Sequence, residues 1–127
     1  MAEGKFGTAI NCMDGRTQEP VINWMKVRYG LDYVDMITEP GPVKLISEND
    51  PVALDSIRKR LMISIEKHHS TVLAVVGHYD CAGNPVPADR QADQIRKSLQ
   101  LLGTWDLGVK LVGVYLNEAW LVNIVQE

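Results

Sequence analysis

The chain has 127 residues and a mass of 14.2 kDa, with 46% hydrophobic residues, 23% charged residues and a net charge of −3. This size predicts one domain over residues 1–127, and the composition excludes disordered and low-complexity classes. Thirteen Lys and Arg against sixteen Asp and Glu argue against a nucleic-acid partner, which favours a basic excess. The longest apolar run, residues 72–76, is far shorter than the roughly 20 residues of a membrane span, so we expect no membrane partner.

The compartment is predicted from the first residues and from the cysteines. Residues 1–5 show no basic segment followed by an apolar core, so no export signal is predicted. Two cysteines, Cys12 and Cys81, cannot form a disulfide scaffold, and a reducing compartment keeps them as thiols. We therefore expect a cytoplasmic protein.

Strand and helix signals alternate along the first third of the chain. A short strand is predicted at residues 7–11, followed by a helix from about residue 17 to residue 29 that ends before Gly30. A second strand is predicted at residues 33–37. It leads into residues 38–42, where two prolines and a glycine predict a turn and exclude a helix.

The same alternation continues to the end of the chain. The remaining predictions are a helix at residues 51–68, strands at 71–76 and 109–116, a helix at 87–102 between them, and a final strand at 121–125. Asp50 is the expected N-cap of the first of these helices, with proline at the first helical position. Within the strand at 71–76, residues 72–76 are all apolar, as expected for a strand buried on both faces.

This order of elements predicts an α/β fold with three layers: a central, mostly parallel sheet with helices on both faces. The expected strand order is 2-1-3-4, with the last strand added as an antiparallel edge. In such sheets, ligand sites form at the carboxyl ends of the strands where the order reverses. That point lies between the ends of the first and third strands, and a polar cluster follows each of them.

The two clusters are Cys12-x-Asp14-x-Arg16 and His78-x-x-Cys81. In an extended segment, every second side chain points to the same side of the chain, so the side chains of Cys12, Asp14 and Arg16 would share one side. Two sulfurs and one imidazole nitrogen form the ligand set that zinc prefers. The sequence therefore predicts a Zn²⁺ site on Cys12, His78 and Cys81.

Three protein ligands leave one position of a tetrahedral ion free, and either water or Asp14 can fill it. We hypothesise that Arg16 decides between them. A carboxylate paired with a guanidinium is held away from the metal and can accept a hydrogen bond from a metal-bound hydroxyl. The open position then binds water with a lowered pKa.

Simpler interpretations of the same residues remain open. Cys12 and Cys81 can each be small buried core residues, or they can form a disulfide with each other. Asp14 and Arg16 can form an ordinary surface ion pair, which stabilises a protein little.

The other histidines and the tryptophans suggest no chemistry. His68 and His69 end a predicted helix, where cationic side chains favour the helix dipole, and we expect them to cap the helix or to be solvated. Trp24, Trp105 and Trp120 have no common spacing and are interpreted as core or interface residues.

The paired motifs, Cys-Met-Asp-Gly-Arg at residues 12–16 and Gly-His-Tyr-Asp-Cys at residues 77–81, resemble those of the β-class carbonic anhydrases. The resemblance extends over roughly residues 6–125. It implies that Cys12, His78 and Cys81 bind zinc and that Asp14 and Arg16 form the catalytic pair. It further implies that zinc-bound hydroxide converts carbon dioxide to bicarbonate in a homodimer or a higher homo-oligomer.

The chain differs from that family's pattern beside the site. Where the family typically has Arg-Asn-Ala-Gly, residues 38–41 are Thr-Glu-Pro-Gly. This difference favours one alternative, a zinc-binding structural or regulatory protein without turnover. A second alternative is a hydrolase of carbonyl sulfide or carbon disulfide that uses the same site, because the sequence does not separate these substrates from carbon dioxide. A third alternative, a thiol redox protein, requires the two cysteines to cycle without metal.

Overall fold

The computed structural model describes residues 3–127. The strands in this range are Phe6–Cys12 (β1), Tyr33–Glu39 (β2), Val72–His78 (β3), Lys110–Leu116 (β4) and Val122–Gln126 (β5). The α-helices are Gln18–Tyr29 (α1), Pro42–Ser47 (α2), Pro51–His68 (α3) and Ala88–Gly103 (α4), and a 3-10 turn lies at Gly15–Thr17. No helix within residues 3–127 combines the length and the apolarity that crossing a bilayer requires.

The strands form one sheet in the order β2-β1-β3-β4-β5. β1 pairs in parallel with β2 and β3, β3 pairs in parallel with β4, and β5 is antiparallel to β4. This confirms the predicted α/β fold, strand order and antiparallel edge strand. Because β1 and β3 are neighbours, their last residues, Cys12 and His78, lie at the same edge of the sheet.

Both faces of the sheet are buried, because residues of β1 and β3 alternate between two apolar cores. Helices α2, α3 and α4 cover one face. The buried residues of that core are Ile10, Ile37, Val43, Ile46, Ile57, Leu61, Leu73, Val75, Ile95, Leu99 and Leu102. Helix α1 covers the other face, where the buried residues are Ala9, Val21, Met25, Leu31, Val72, Ala74, Val76, Val112, Val114 and Leu116.

The predicted helix signals act as expected. The Asp50 carboxylate accepts hydrogen bonds from the N–H groups of Val52 and Ala53 at the start of α3. This pairing satisfies two of the backbone donors that a helix start leaves free. Gly30 ends α1 in the left-handed conformation, with φ of 62°, and its N–H bonds to the Lys26 carbonyl.

The prediction that residues 38–42 form only a turn is wrong. The first two of these residues extend β2 to Glu39, and Pro42 begins the short helix α2. Proline is tolerated at the first position of a helix, because the N–H that it lacks has no partner there. The bend itself is limited to Pro40 and Gly41.

Candidate metal centre

Cys12, His78 and Cys81 come together at the carboxyl edge of the sheet. Cys12 ends β1, His78 ends β3, and Cys81 lies on the loop that follows β3. One ligand atom from each lies within 4.8 Å of the others, and the two sulfurs are 3.9 Å apart. All three residues are buried. The predicted convergence of the two sequence clusters is present in the structure.

The orientation of the His78 ring leaves one nitrogen free for a ligand. Nδ1 lies 2.7 Å from the backbone carbonyl of Tyr79. Because a carbonyl oxygen only accepts hydrogen bonds, Nδ1 carries the proton and Nε2 presents a lone pair. Nε2 is buried and has no hydrogen-bond partner, which is costly for a polar atom. A histidine that donates one N–H to a carbonyl and leaves its other nitrogen free is typical of metal ligation.

The sulfur positions fit a metal better than the alternatives. Two thiolates on a tetrahedral zinc ion, with bonds of about 2.3 Å, lie about 3.8 Å apart. The observed 3.9 Å separation of the Cys12 and Cys81 sulfurs matches that value and is nearly twice a disulfide bond length. The residues present therefore fit a zinc ion.

The ionisation of the three groups is coupled. Burial opposes the Cys12 thiolate, but the His78 ring and the backbone N–H groups of Gly41 and Asp14 together outweigh it, and the pKa of Cys12 falls to about 7. Burial also opposes the charged form of His78, while the Cys12 thiolate and the Tyr79 carbonyl raise its pKa above the usual value. For Cys81, burial and the nearby Cys12 charge both raise the pKa, to about 11. The three groups therefore influence one another's ionisation when no metal is bound.

Backbone N–H groups also face the two cysteine sulfurs. The loop after β2 and the loop after β3 approach each other closely at Gly41 and Gly83. The N–H groups of Gly41 and Asp14 help to lower the pKa of Cys12. The N–H of Gly83 acts in the same way on Cys81. A Cβ atom on Gly41 would lie 2.9 Å from the carbonyl carbon of Gly83, and the φ of Gly41 is +61°. Both features require glycine at position 41.

Asp14 and Arg16 form a bidentate pair. Arg16 Nε donates to Asp14 Oδ1 at 3.1 Å, and Nη2 donates to Oδ2 at 2.7 Å. This pairing lowers the pKa of Asp14 to about 2, so Asp14 is ionised at neutral pH. The expectation that residues 12–16 are extended is wrong: β1 ends at Cys12, and Asp14 caps a 3-10 turn through a hydrogen bond from the Arg16 N–H. The turn, rather than strand alternation, brings the two side chains together.

Two further residues contact Arg16, and the sequence analysis missed both. The Asp80 carboxylate lies 3.3 Å from Nη1, and the Asp80 backbone carbonyl accepts from Nη2 at 3.2 Å. The centre of the Trp120 ring lies 4.6 Å from the guanidinium carbon of Arg16. Trp120 also packs on the apolar core beneath α1, so its interpretation as a core residue covers only part of its contacts. No sequence signal connects position 120 with position 16.

Gln91 is a third residue that the sequence analysis missed. Its side-chain oxygen accepts from the His78 N–H at 3.0 Å, and its nitrogen donates to the His78 carbonyl at 2.7 Å. Gln91 is buried on α4, four residues before Ile95. The sequence did offer one signal for this role. Gln91 lies on the apolar face of a predicted helix, and a buried amide requires hydrogen-bond partners.

His68 and His69 lie at the opposite edge of the sheet. His68 Nδ1 is 2.6 Å from the Asp35 carboxylate, and its ring packs against Phe6 with ring centroids 4.4 Å apart. His69 ends α3 in the left-handed conformation. Both residues therefore have local structural roles at the helix end.

A small cavity opens beside Cys12 and Asp14. It has a volume of about 230 Å³ and is lined by Cys12, Met13, Asp14, Pro40, Ala82 and Gly83. Most of this wall is apolar. The cavity suits a small, weakly polar molecule next to the ionised Asp14.

The chain belongs to a known family. A family model described as putative carbonic anhydrase matches residues 2–126. No curated protein matches the chain. The family match covers both motifs of the site and identifies the chain as a divergent member of the β-carbonic anhydrase family.

Solved structures show the same fold. A β-carbonic anhydrase of the fungal pathogen Aspergillus fumigatus matches 97% of this chain and 76% of its own, with a TM-score of 0.51 and 15% identity. One of two β-carbonic anhydrases of the filamentous ascomycete Sordaria macrospora, described as tetrameric, matches 97% of this chain and 81% of its own, with a TM-score of 0.56 and 12% identity. At these identities the likeness concerns the fold alone.

Proposed function

We propose that the protein hydrates carbon dioxide to bicarbonate with one zinc ion held by Cys12, His78 and Cys81. The observation that carries the proposal is the buried, unpartnered Nε2 of His78 beside two free cysteine sulfurs. When bound, zinc supplies Lewis acidity, which lowers the pKa of water so that a nucleophile exists near neutral pH. Family membership supports the same function.

Asp14 provides the acceptor that orients the attacking water. Its carboxylate is ionised. Oδ1 accepts from both the backbone N–H and Nε of Arg16, whereas Oδ2 accepts only from Nη2 and keeps a lone pair for the water. Arg16 holds both oxygens and so keeps Asp14 from becoming a further ligand. In the overall reaction the water oxygen bonds to the carbon of carbon dioxide, and one proton leaves to solvent.

The cavity beside Cys12 and Asp14 provides the substrate position. Its mostly apolar wall favours carbon dioxide over ionic solutes, and its volume leaves room for only a small molecule. Residues 38–41 contribute Pro40 and the backbone of Gly41 to this region. Carbonyl sulfide has the same linear shape and is the related substrate to compare.

The proposal includes a homodimer or a higher homo-oligomer. The Sordaria macrospora relatives are described as tetrameric, which supports an assembly of identical chains. Sizing chromatography of the zinc-loaded protein tests the assembly: a single species at monomer mass contradicts it.

The proposal also includes a cytoplasmic location, because Cys12 and Cys81 must remain reduced to bind metal.

The reaction is tested by stopped-flow carbon dioxide hydration on zinc-loaded protein, from mildly acidic to mildly alkaline pH. We expect catalysis well above background for the wild type and loss of both zinc and catalysis for His78→Gln. His68→Gln is the matched control, because His68 contacts Asp35 far from the site; it should keep both. Full zinc occupancy with only the background rate would contradict the enzyme and favour a zinc-binding structural or regulatory protein.

A further inference from the structure

Arg16 is held on three sides, although its side chain is 47% exposed. Asp14 pairs with one edge of the guanidinium, and Asp80 contacts the other through its carboxylate and its carbonyl. The Trp120 ring covers a face, 4.6 Å from the guanidinium carbon. A long side chain loses much conformational entropy when it is fixed at a surface, so a single ion pair would hold it weakly.

The backbone at two of these contacts is unusual. Asp80 has a φ of 56° and Trp120 a φ of 59°, in the left-handed region that non-glycine residues rarely adopt. His69, with a comparable φ, ends a helix, where such a residue is common. Asp80 and Trp120 do not end helices, and both contact Arg16. Strained backbone of this kind persists where the surrounding structure fixes it, and it is concentrated at functional sites.

The turn between β4 and β5 fixes the position of Trp120. The Asn117 side-chain oxygen accepts from the N–H groups of Ala119 and Leu121, at 2.9 and 3.2 Å. The Trp120 N–H bonds to the Asn117 carbonyl at 2.9 Å. The indole also lies near His78, with ring centroids 6.1 Å apart. The turn therefore presents a fixed aromatic face to Arg16, beside a metal-ligand candidate.

We propose that Trp120, with Asp80, is a positioning residue that holds the Arg16 guanidinium in the orientation in which it pairs with both oxygens of Asp14. A cation over an indole face is attracted by the ring, and this contact restrains the guanidinium on that side. The antiparallel edge hairpin thus supports the Asp14–Arg16 pair from outside the two sequence motifs. Its effect on catalysis rests on the proposed function, whereas the positioning itself does not.

The positioning is tested by nuclear magnetic resonance of the Arg16 Nε–H in the full chain, with and without zinc. Protons near an aromatic face resonate upfield, and hydrogen-bonded protons exchange slowly with water. In Trp120→Leu we expect the Arg16 Nε–H to move downfield and to exchange about two- to fivefold faster, as the loss of a partly exposed cation–π contact implies. Trp120→Phe keeps a ring and should retain part of the upfield shift.

Trp105→Leu is the matched control, because it removes an indole that lies 5.0 Å from the guanidinium carbon of Arg58. It should leave the Arg16 signal unchanged. An unchanged Arg16 signal in Trp120→Leu overturns the proposal. If that variant does not fold, Trp120→Phe decides: an Arg16 signal with the wild-type shift and the wild-type exchange rate, in a folded protein, also overturns it.

Hydration kinetics then separate this proposal from the proposed function. Trp120→Leu should lower kcat about two- to fivefold, with zinc content and KM unchanged, because it acts through Arg16 and not on the substrate. A wild type without activity overturns the proposed function and leaves the resonance result intact. A normal kcat despite a displaced Arg16 signal overturns the catalytic consequence of the positioning.

Discussion

Arg16 controls the electrostatics of the site through one neighbour. Its guanidinium occupies both oxygens of Asp14, and the pKa of Asp14 falls to about 2 as a result. A bidentate pair of this kind fixes direction as well as charge. Without it, the carboxylate would be free to turn toward a zinc ion held by Cys12, His78 and Cys81 and to bind it.

Substituting Arg16 separates metal binding from catalysis. We expect Arg16→Ala to keep zinc, because the three ligands are untouched, and to hydrate carbon dioxide at least about 100-fold more slowly, because Asp14 is displaced. Arg16→Lys keeps the positive charge but lacks the paired donors of the planar guanidinium, so its hydration rate should lie between those of the wild type and Arg16→Ala. Zinc content and stopped-flow rates measure both effects. Loss of zinc from Arg16→Ala would contradict the separate roles of the pair and the ligands.

Metal binding should release protons. Near neutral pH the Cys12–His78 pair shares about one proton, because the pKa of Cys12 is lowered and that of His78 is raised. Cys81 keeps its own proton, since its pKa is raised. To ligate, both thiols must be deprotonated and His78 must be neutral, so zinc displaces about two protons, and a fall of one pH unit weakens binding about 100-fold.

Calorimetry of zinc binding in buffers of different ionisation enthalpy counts these protons. Cys81→Ser should release about one proton rather than two, since the Cys81 thiol no longer contributes. Release close to zero in the wild type would mean that the three groups do not act together as ligands.

Helix α4 supports the end of β3 through one buried amide. Gln91 satisfies both the N–H and the carbonyl of His78, and Gly77 leaves room for it: a Cβ there would lie 2.6 Å from the Gln91 oxygen. The helix therefore fixes the backbone from which His78 reaches the site.

Gln91→Leu leaves two buried backbone groups of His78 without partners. We expect the free energy of unfolding to fall by about 1–3 kcal/mol, measured by urea denaturation. Gln100→Leu, on the exposed side of the same helix, is the control and should change stability by less than about 0.5 kcal/mol. Equal effects of the two substitutions would show that the amide bonds do not support β3.

Periodicity and caps made most elements predictable from the sequence. The apolar run at residues 72–76, the Asp50 cap and the regular alternation predicted the strands, the long helices and their order, because those signals are local. Helix α2 could not be predicted in this way: its six residues are too few to show a period, and Pro42 was interpreted only as a breaker.

The convergence of the three candidate ligands was predictable for a different reason. Topology places the ends of β1 and β3 side by side, so Cys12 and His78 had to meet once the strand order was right. Gln91 and Trp120 reach the site from a distant helix and a distant turn. Their roles depend on side-chain packing, which sequence spacing does not specify.

The two apolar cores share one sheet, so the molecule should unfold as a unit. β3 contributes alternate residues to both cores, and neither core can lose its contacts without exposing that strand. We expect one thermal transition for the metal-free protein. Saturating zinc, about 100-fold above its Kd, should raise Tm by about 10 °C in the wild type and not in Cys81→Ser. Two separate transitions would contradict a single domain.

The most direct test of the account is the zinc content per chain of reduced protein purified without added metal, measured by mass spectrometry. Because Cys12, His78 and Cys81 form one buried site, we predict close to one zinc ion per chain for the wild type and almost none for Cys12→Ser. A reduced, folded wild type without zinc, or equal zinc in the two proteins, would contradict it.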